Sequence, residues 1–292
     1  MAAVPRLRQG SNGKTNDSVS ADDRLKPGQP YLDWLERTWQ GDMRELRKGR
    51  YLHQQADLRH AFETSRYWDE VAAKLQGWAD SYRKKTKAPL FQGVPTLPSL
   101  VNKSWPSFLS RTWRENVGNN ESWDQPPKEG WWLPDNWFER AWDIVRTRFV
   151  VRDLDGAREL AEQLCQLAER RPFKLGTKLD EEAKPNGYYG YHVYIRQEFK
   201  VPALDYEGEQ DRSSQIEIQV MTQMAEIISE LSHPFYEQRR EDPTQVPRLL
   251  DPMSGEADAV GLGQQSRELE RKVLQLRRKT GEQAKEPEER PA

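Results

Sequence analysis

The chain lacks the residues on which several classes of protein depend. It has 292 residues but a single cysteine, Cys165, and only four histidines. One cysteine cannot form an internal disulfide or a thiolate metal cluster, and the apolar helical pattern around Cys165 favours a position in the core. No His-x-x-His or adjacent His-Asp pair occurs, which disfavours a histidine-rich metal site of a hydrolase.

Long apolar runs and an excess of charge of one sign are also missing. No hydrophobic stretch approaches the length of a membrane span, and no apolar segment typical of a secretory signal follows the N-terminal arginines. We therefore expect a reduced, cytoplasmic setting without membrane association. The formal net charge is −2, so nucleic-acid binding would require a local basic patch.

The distribution of polar and apolar residues divides the chain into three regions. Residues 1–29 are polar and small, which predicts a disordered lead. Residues 30–240 have the patterning of one folded domain, and residues 241–292 form a polar tail with an amphipathic helix over about 264–280. Within 31–116 the spacing of apolar residues predicts N-terminal helices, including one over about 55–85 and one over about 105–116, followed by a long loop at 118–136.

The character of the sequence changes at Asp143. Strands are predicted at about 144–151, 191–200 and 214–221, and helices at about 153–170 and 222–239. Alternation of apolar and polar residues at period two is typical of strands that bury one face. The order of these elements predicts an α+β fold in which a mixed sheet over 143–238 is flanked by helices.

The tryptophans are confined to one part of the chain. All 11 lie between Trp34 and Trp142. We favour the interpretation that the N-terminal helices pack on the sheet through these large side chains. A platform that stacks nucleic-acid bases is the alternative.

Two carboxylates have positions that suggest chemistry. Glu217 lies between two isoleucines in an alternating strand, and Asp143 begins another strand. Carboxylates on adjacent strands can hold Mg²⁺ against a triphosphate, and one of them can act as a general base. Spacing alone leaves open the alternative that Glu217 is a solvent-facing residue of its strand.

Cations and tyrosines accompany these carboxylates along the chain. A triphosphate site needs several cations that converge, and the candidates are Lys103, Arg111, Arg114, Arg146, Arg148 and Lys184. Tyr188 follows a Pro-Asn-Gly turn signal and precedes His192 by four residues. A tyrosine on such a loop can stack a base, and packing on the sheet is the alternative.

Five short motifs, taken in their order, resemble the synthetase domain of the RelA/SpoT family. The resemblance covers about 100–237 and implies a nucleotidyltransferase-like fold. It implies a small, single-domain synthetase, because too few residues precede Lys103 for the hydrolase domain of the long family members. The motifs are Lys103-x-x-x-Ser107-x-x-x-Arg111, Asp143-x-x-x-x-Arg148, Lys184-Pro185-Asn186-Gly187-Tyr188-x-x-x-His192, Glu217-Ile218-Gln219-x-x-Thr222 and His233-x-x-Tyr236.

The resemblance implies an enzyme, a GTP diphosphokinase-type pyrophosphotransferase that uses ATP as donor and Mg²⁺ as cofactor. Its acceptor would be the ribose 3′-hydroxyl of GDP or GTP. By resemblance, Asp143 and Glu217 would coordinate Mg²⁺, and Glu217 would also activate the acceptor hydroxyl. The ATP phosphates would be bound by Lys103, Ser107, Arg111 and Arg148. The acceptor would be bound by Lys184, Asn186, Tyr188, His192 and Gln219, with Tyr188 stacking its base.

The chain departs from the family pattern in places that concern the substrates. Val101 stands where the family usually has an arginine, Arg146 stands where a small residue is common, and Tyr189-Gly190 replaces the common Arg-Ser or Gln-Ser. The acceptor therefore stays open between alternatives.

Synthesis of (p)ppGpp is the leading hypothesis. The first alternative is a toxin-type synthetase that pyrophosphorylates the 3′ CCA end of tRNA, for which basic stretches at 83–87 and 170–174 would bind the acceptor stem. The second is an inactive nucleotide-binding module. An antitoxin protein and assembly into a homo-oligomer through the C-terminal helix are partners that the resemblance leaves open.

Overall fold

The computed structural model describes residues 25–185, 187–202, 208–241 and 253–283. Most of the predicted disordered lead lies outside these residues, as do Asn186 and two stretches of the polar tail, 242–252 and 284–292. No helix in the described ranges is long and apolar enough to cross a membrane.

Helices dominate both ends of the described chain. The α-helices are α1 (Gln29–Thr38), α2 (Lys48–Glu63), α3 (Arg66–Thr86), α4 (Trp105–Trp113), α5 (Trp137–Arg140), α6 (Leu154–Glu169), α7 (Gln223–Glu241) and α8 (Gly255–Gln283). A short 3₁₀-helix at Met43–Leu46 precedes α2, and a π-helical turn at Arg114–Gly118 follows α4.

A five-stranded mixed sheet forms the centre of the fold. Its strands are β1 (Val101–Asn102), β2 (Val145–Val151), β3 (Gly176–Ala183), β4 (Tyr189–Pro202) and β5 (Glu209–Thr222), in the spatial order β1-β2-β5-β4-β3. β2 and β5 run parallel, and the other neighbouring pairs are antiparallel. The predicted α+β fold, a mixed sheet flanked by helices, is confirmed.

The N-terminal helices are divided differently from the prediction. The helix expected over 55–85 is two helices, α2 and α3, because Ser65 interrupts the chain and caps α3 by accepting a hydrogen bond from the Trp68 backbone N–H at 3.3 Å. The helix expected over 105–116 is α-helical only to Trp113 and continues as the π-helical turn.

Two elements differ from the prediction towards the C-terminus. The sequence analysis missed β3, because this edge strand is polar and mostly exposed, and so lacks the alternation of a half-buried strand. The C-terminal helix expected over 264–280 is the 29-residue α8, which begins at Gly255. Gly261 and Gly263 weaken the helical pattern in its first turns.

One face of the sheet carries the hydrophobic core. β2 alternates buried and half-buried residues along its whole length, and its buried side chains pack with those of β4, β5 and α6. Cys165 is buried in α6, as predicted. Nine of the tryptophans lie in or against this core, which confirms that most of them serve packing. The opposite face of the sheet is left for polar residues.

Candidate active site

The candidate residues on the strands share the face of the sheet that is opposite the core. In the parallel pair of β2 and β5, Arg146 is opposite Glu217 and Arg148 is opposite Gln219. In the antiparallel pair of β4 and β5, His192 is opposite Gln219. Residues in register on neighbouring strands point to the same side of a sheet. The interpretation of Glu217 as a solvent-facing residue is therefore wrong, since only 6% of it is exposed.

A cleft of about 470 Å³ opens over this face. Helix α4 and the turn after it, the loop before β2, the sheet and the loop before β4 contribute Arg111, Arg114, Trp142, Asp143, Arg146, Arg148, Glu182, Lys184, Tyr188, His192, Tyr194, Glu217 and Gln219. A further wall is formed by α7 and α8, with Ser229, Ser232, His233, Phe235, Glu256, Ala259 and Val260. Of the eleven predicted site residues, eight line the cleft: Arg111, Asp143, Arg148, Lys184, Tyr188, His192, Glu217 and Gln219.

Eight of the predicted residues thus line the cleft, and the other three do not. Lys103 lies behind it and reaches Asp143. Ser107 lies in the first turn of α4, where its hydroxyl accepts a hydrogen bond from the Ser104 hydroxyl at 3.0 Å. Asn186 lies outside the described residues.

Glu217 is held by hydrogen bonds from two neighbouring side chains. Its Oε1 is 2.8 Å from His192 Nδ1, and its Oε2 accepts a hydrogen bond from Gln219 Nε2 at 3.2 Å. Gln219 in turn accepts from the Arg148 guanidinium at 3.3 and 3.4 Å. These contacts fix the orientation of the carboxylate without placing a cation directly on it.

Tyr188 and His192 form the second part of this chain of contacts. The Tyr188 hydroxyl is 2.6 Å from His192 Nε2, and burial raises the pKa of Tyr188, with the charge of Glu217 acting in the same direction. The phenol therefore stays protonated and can donate to Nε2. A neutral imidazole with its proton on Nδ1 then satisfies both Tyr188 and Glu217.

Asp143 is the second carboxylate of the cleft, and a cation holds it directly. Its Oδ2 lies 2.5 Å from Lys103 Nζ, and the Lys103 side chain is almost fully buried. Burial of the Asp143 carboxyl acts to raise its pKa, but the charges of Lys103, Arg111 and Arg146 outweigh burial and hold that pKa below its usual value. Asp143 is therefore a fixed negative charge near neutral pH.

These two carboxylates fit a magnesium ion that is completed by substrate. Asp143 Oδ1 is buried and accepts no hydrogen bond from the described residues, which leaves it available to a cation. No group of three or more His, Cys, Asp or Glu suited to a metal occurs in the described part of the chain. Mg²⁺ is commonly held by one or two carboxylates together with water and substrate phosphates, which is the donor set that Asp143 and Glu217 offer.

Several residues of the cleft were not singled out in the sequence. The Trp142 ring has Lys178 Nζ at 4.4 Å from its centroid and contacts the edge of Tyr194 at 5.3 Å. Lys178, Tyr194 and Glu217 are in register across three strands. The alternation of β4 was the signal that could have found Tyr194, whereas the polar β3 gave no such signal for Lys178. The position of Trp142 next to Asp143 was a weaker signal.

Helix α8 forms the wall beside the loop that precedes β4. Gln264 Nε2 donates to the Pro185 carbonyl at 3.2 Å, and the Tyr189 hydroxyl donates to Glu270 at 2.5 Å. Arg277 pairs with Asp153, at 2.5 Å, and with Asp155 at the start of α6. No sequence motif pointed to this wall, because the contacts join segments that are far apart along the chain.

Comparison with solved structures finds small alarmone synthetases and a related protein at low sequence identity. The small alarmone synthetase 2 from Bacillus subtilis is 16% identical, with 77% of this chain and 98% of that chain covered and a TM-score of 0.47. The chain is similar to small alarmone synthetases. The small alarmone synthetase 1 from Bacillus subtilis bound to its product pppGpp is 16% identical, with 76% and 98% covered and a TM-score of 0.47.

A third similar structure is a GTP pyrophosphokinase family protein from Streptococcus pneumoniae. It is 17% identical, with 82% of this chain and 98% of that chain covered and a TM-score of 0.46. No protein-family model matches the sequence, and no curated protein matches it.

Proposed function

We propose that the protein transfers the β,γ-pyrophosphate of ATP to the ribose 3′-hydroxyl of GDP or GTP, with Mg²⁺ as cofactor, and so makes (p)ppGpp. The observation that supports this best is the meeting of Asp143, Glu217 and the Tyr188–His192 pair in one cleft lined by arginines. Pyrophosphoryl transfer depends mainly on positioning and on neutralising phosphate charge, and the cleft supplies groups for both.

The proposed reaction forms one P–O bond, breaks another and transfers one proton. The acceptor 3′-oxygen attacks the β-phosphorus of ATP, and the bond between that phosphorus and the α,β-bridging oxygen breaks, so that AMP leaves with the electron pair. Glu217 accepts the proton of the attacking hydroxyl, as a positioned carboxylate can. Mg²⁺, when bound by Asp143 and Glu217, would neutralise phosphate charge.

The acceptor would lie beside the loop that precedes β4. The Tyr188 ring is held by its hydroxyl contact with His192, and Lys184 Nζ lies 5.4 Å from the ring centroid. A ring fixed in this way can stack a purine, and the neighbouring ammonium group can bind the phosphates of the same nucleotide.

The tRNA alternative has weaker support from the positions of the two basic stretches. Lys85 contacts Glu159 in the first half of α6, whereas Arg170 follows the last residue of that helix. At a rise of 1.5 Å per residue, Glu159 and Arg170 are roughly 16 Å apart along the helix. The two stretches therefore lie at separate places along α6, and no residue of either lines the cleft.

Transfer of label tests the proposal directly. The purified protein is supplied with Mg²⁺, ATP labelled in its γ-phosphate, and GDP, GTP or bulk tRNA in separate reactions. We expect label on the guanine nucleotide with the wild type, a far slower transfer with Glu217→Gln, and none with excess chelator. Label on tRNA alone would replace the proposal with the toxin-type reaction, and label on ATP in every reaction would leave a nucleotide-binding module.

A further inference from the structure

The cationic side chains of the cleft differ in whether the protein already neutralises them. Arg111 Nε is 3.1 Å from Glu115, Arg148 is 3.6 Å from Glu226, and Lys184 is 3.0 Å from Glu182. Behind the cleft, Lys103 is paired with Asp143. A cation with its own carboxylate offers less net charge to an incoming phosphate.

Two arginines of the cleft, Arg114 and Arg146, form no ion pair of this kind within the described residues. Arg114 lies in the π-helical turn after α4, whereas Arg146 is half-buried on the cleft face of β2 and makes no hydrogen bond of standard geometry there. Its position is central, because it follows Asp143 by three residues and is opposite Glu217 in the parallel register. An arginine beside two metal-type carboxylates, with no hydrogen bond to either of them, is placed to bind an anion that arrives together with the metal.

The residue beside Arg146 on the other neighbouring strand, β1, has no polar group that could bind the guanidinium. In the antiparallel pair of β1 and β2, Arg146 is directly opposite Val101, whose side chain is apolar and 51% exposed. The two departures from the family pattern at positions 101 and 146 therefore face each other across one strand pair. The side chains of directly opposed residues begin about 4.5–5.5 Å apart, so an arginine on either strand can serve the same place.

We propose that Arg146 binds the triphosphate of the ATP donor, and this rests on the proposed function. A guanidinium can donate two parallel hydrogen bonds to phosphate oxygens, and that of Arg146 is not already hydrogen-bonded to a carboxylate of the described residues. Because Arg146 lies on a strand beside both carboxylates, it also orients the phosphates towards them.

Binding of a non-hydrolysable ATP analogue with Mg²⁺, measured by isothermal titration calorimetry, tests this assignment without product formation. We expect Arg146→Ala to weaken analogue binding by roughly 10- to 100-fold and to change binding of AMP much less. Arg196→Ala is the matched control, since Arg196 is on the sheet but outside the cleft, where it pairs with Glu139. Unchanged analogue binding, or an equal loss for AMP, would overturn the proposal.

Two further variants separate the role of the charge from damage to the fold. Arg146→Lys retains the charge, and Val101→Arg combined with Arg146→Ala moves the guanidinium to the facing strand. We expect both to bind the analogue more tightly than Arg146→Ala, and failure of both with intact circular dichroism spectra would refute the assignment. A wild type that binds the analogue but forms no product would contradict the proposed function and leave the Arg146 measurement valid.

Discussion

The two carboxylates of the cleft are held in opposite ways. Asp143, at the edge formed by β1 and β2, is paired with the buried Lys103 and has a lowered pKa. Glu217, at the centre of the sheet, is held by His192 and Gln219 through hydrogen bonds. A carboxylate locked by a cation is suited to remain charged and bind a metal, whereas one held by hydrogen bonds can exchange a proton with substrate.

The largest effect that separates the two carboxylates is expected from Glu217→Gln. The amide retains the shape of the side chain but cannot take the acceptor proton, so we expect kcat for label transfer to fall by about 10²–10⁴-fold. Binding of a non-hydrolysable ATP analogue with Mg²⁺ should persist, because Asp143 remains.

Asp143→Asn is the matched comparison for that variant. The substitution removes the negative charge of the carboxylate that pairs with Lys103. We therefore expect the Mg²⁺ dependence of analogue binding to be lost along with activity. If the two variants lost activity and metal-dependent binding to the same extent, the division of roles between Asp143 and Glu217 would be wrong.

The next effect is on stability and concerns the ion pair of Lys103 and Asp143. Lys103→Met leaves a buried carboxylate without its cation, and we expect the free energy of unfolding at neutral pH to fall by about 3 kcal/mol. The pKa of Asp143 is lower in the folded protein than its usual value of 3.8, so the pair stabilises the fold above that pH. This stabilisation is lost as the pH falls through the lower folded value.

Denaturant unfolding at several pH values measures this effect. The difference between the wild type and Lys103→Met should be full at neutral pH and should shrink below pH 3.8. Lys200→Met is the control, because Lys200 is exposed and lies 3.9 Å from Glu209. A Lys103→Met variant as stable as the wild type would show that the pair contributes nothing to the fold.

The sequence predicted the cleft better than it predicted the boundaries of the fold. Alternation along β5 singled out Glu217, because it lies between two isoleucines and such a local pattern is visible in the sequence. Asp143 was singled out by its place at the start of a strand, and Gln219 by the resemblance. The pairing of Lys103 with Asp143 joins residues 40 positions apart, and no local pattern contains it. The same limit applies to β3, which is polar on both faces, and to the wall formed by α8.

A smaller effect is expected from Tyr188→Phe, which sharpens the account of the Glu217 side of the cleft. The substitution removes the hydroxyl that contacts His192 and leaves the ring in place. Loss of one hydrogen bond predicts a fall in kcat of about three- to tenfold, while the KM for the guanine nucleotide should stay near that of the wild type. Tyr188→Ala should raise that KM. An unchanged KM in Tyr188→Ala, with kcat reduced as in Tyr188→Phe, would show that only the hydroxyl of Tyr188 matters.

The smallest expected effect comes from two glycines in α8. A Cβ at Gly263 would lie 2.7 Å from the Gly187 carbonyl oxygen, whereas a Cβ at Gly261 would meet nothing within 4 Å. Gly261→Ala should therefore stabilise the helix by up to about 1 kcal/mol, and Gly263→Ala should lose that gain because α8 must move away from the loop that precedes β4.

Thermal unfolding and the KM for the acceptor together measure the contact between α8 and the loop. We expect Gly263→Ala to change the acceptor KM severalfold and to leave binding of the ATP analogue unchanged, because Gly187 precedes Tyr188 and is remote in sequence from the residues around Asp143. Gly261→Ala should alter neither. Equal behaviour of the two variants would show that α8 does not constrain the acceptor side of the cleft.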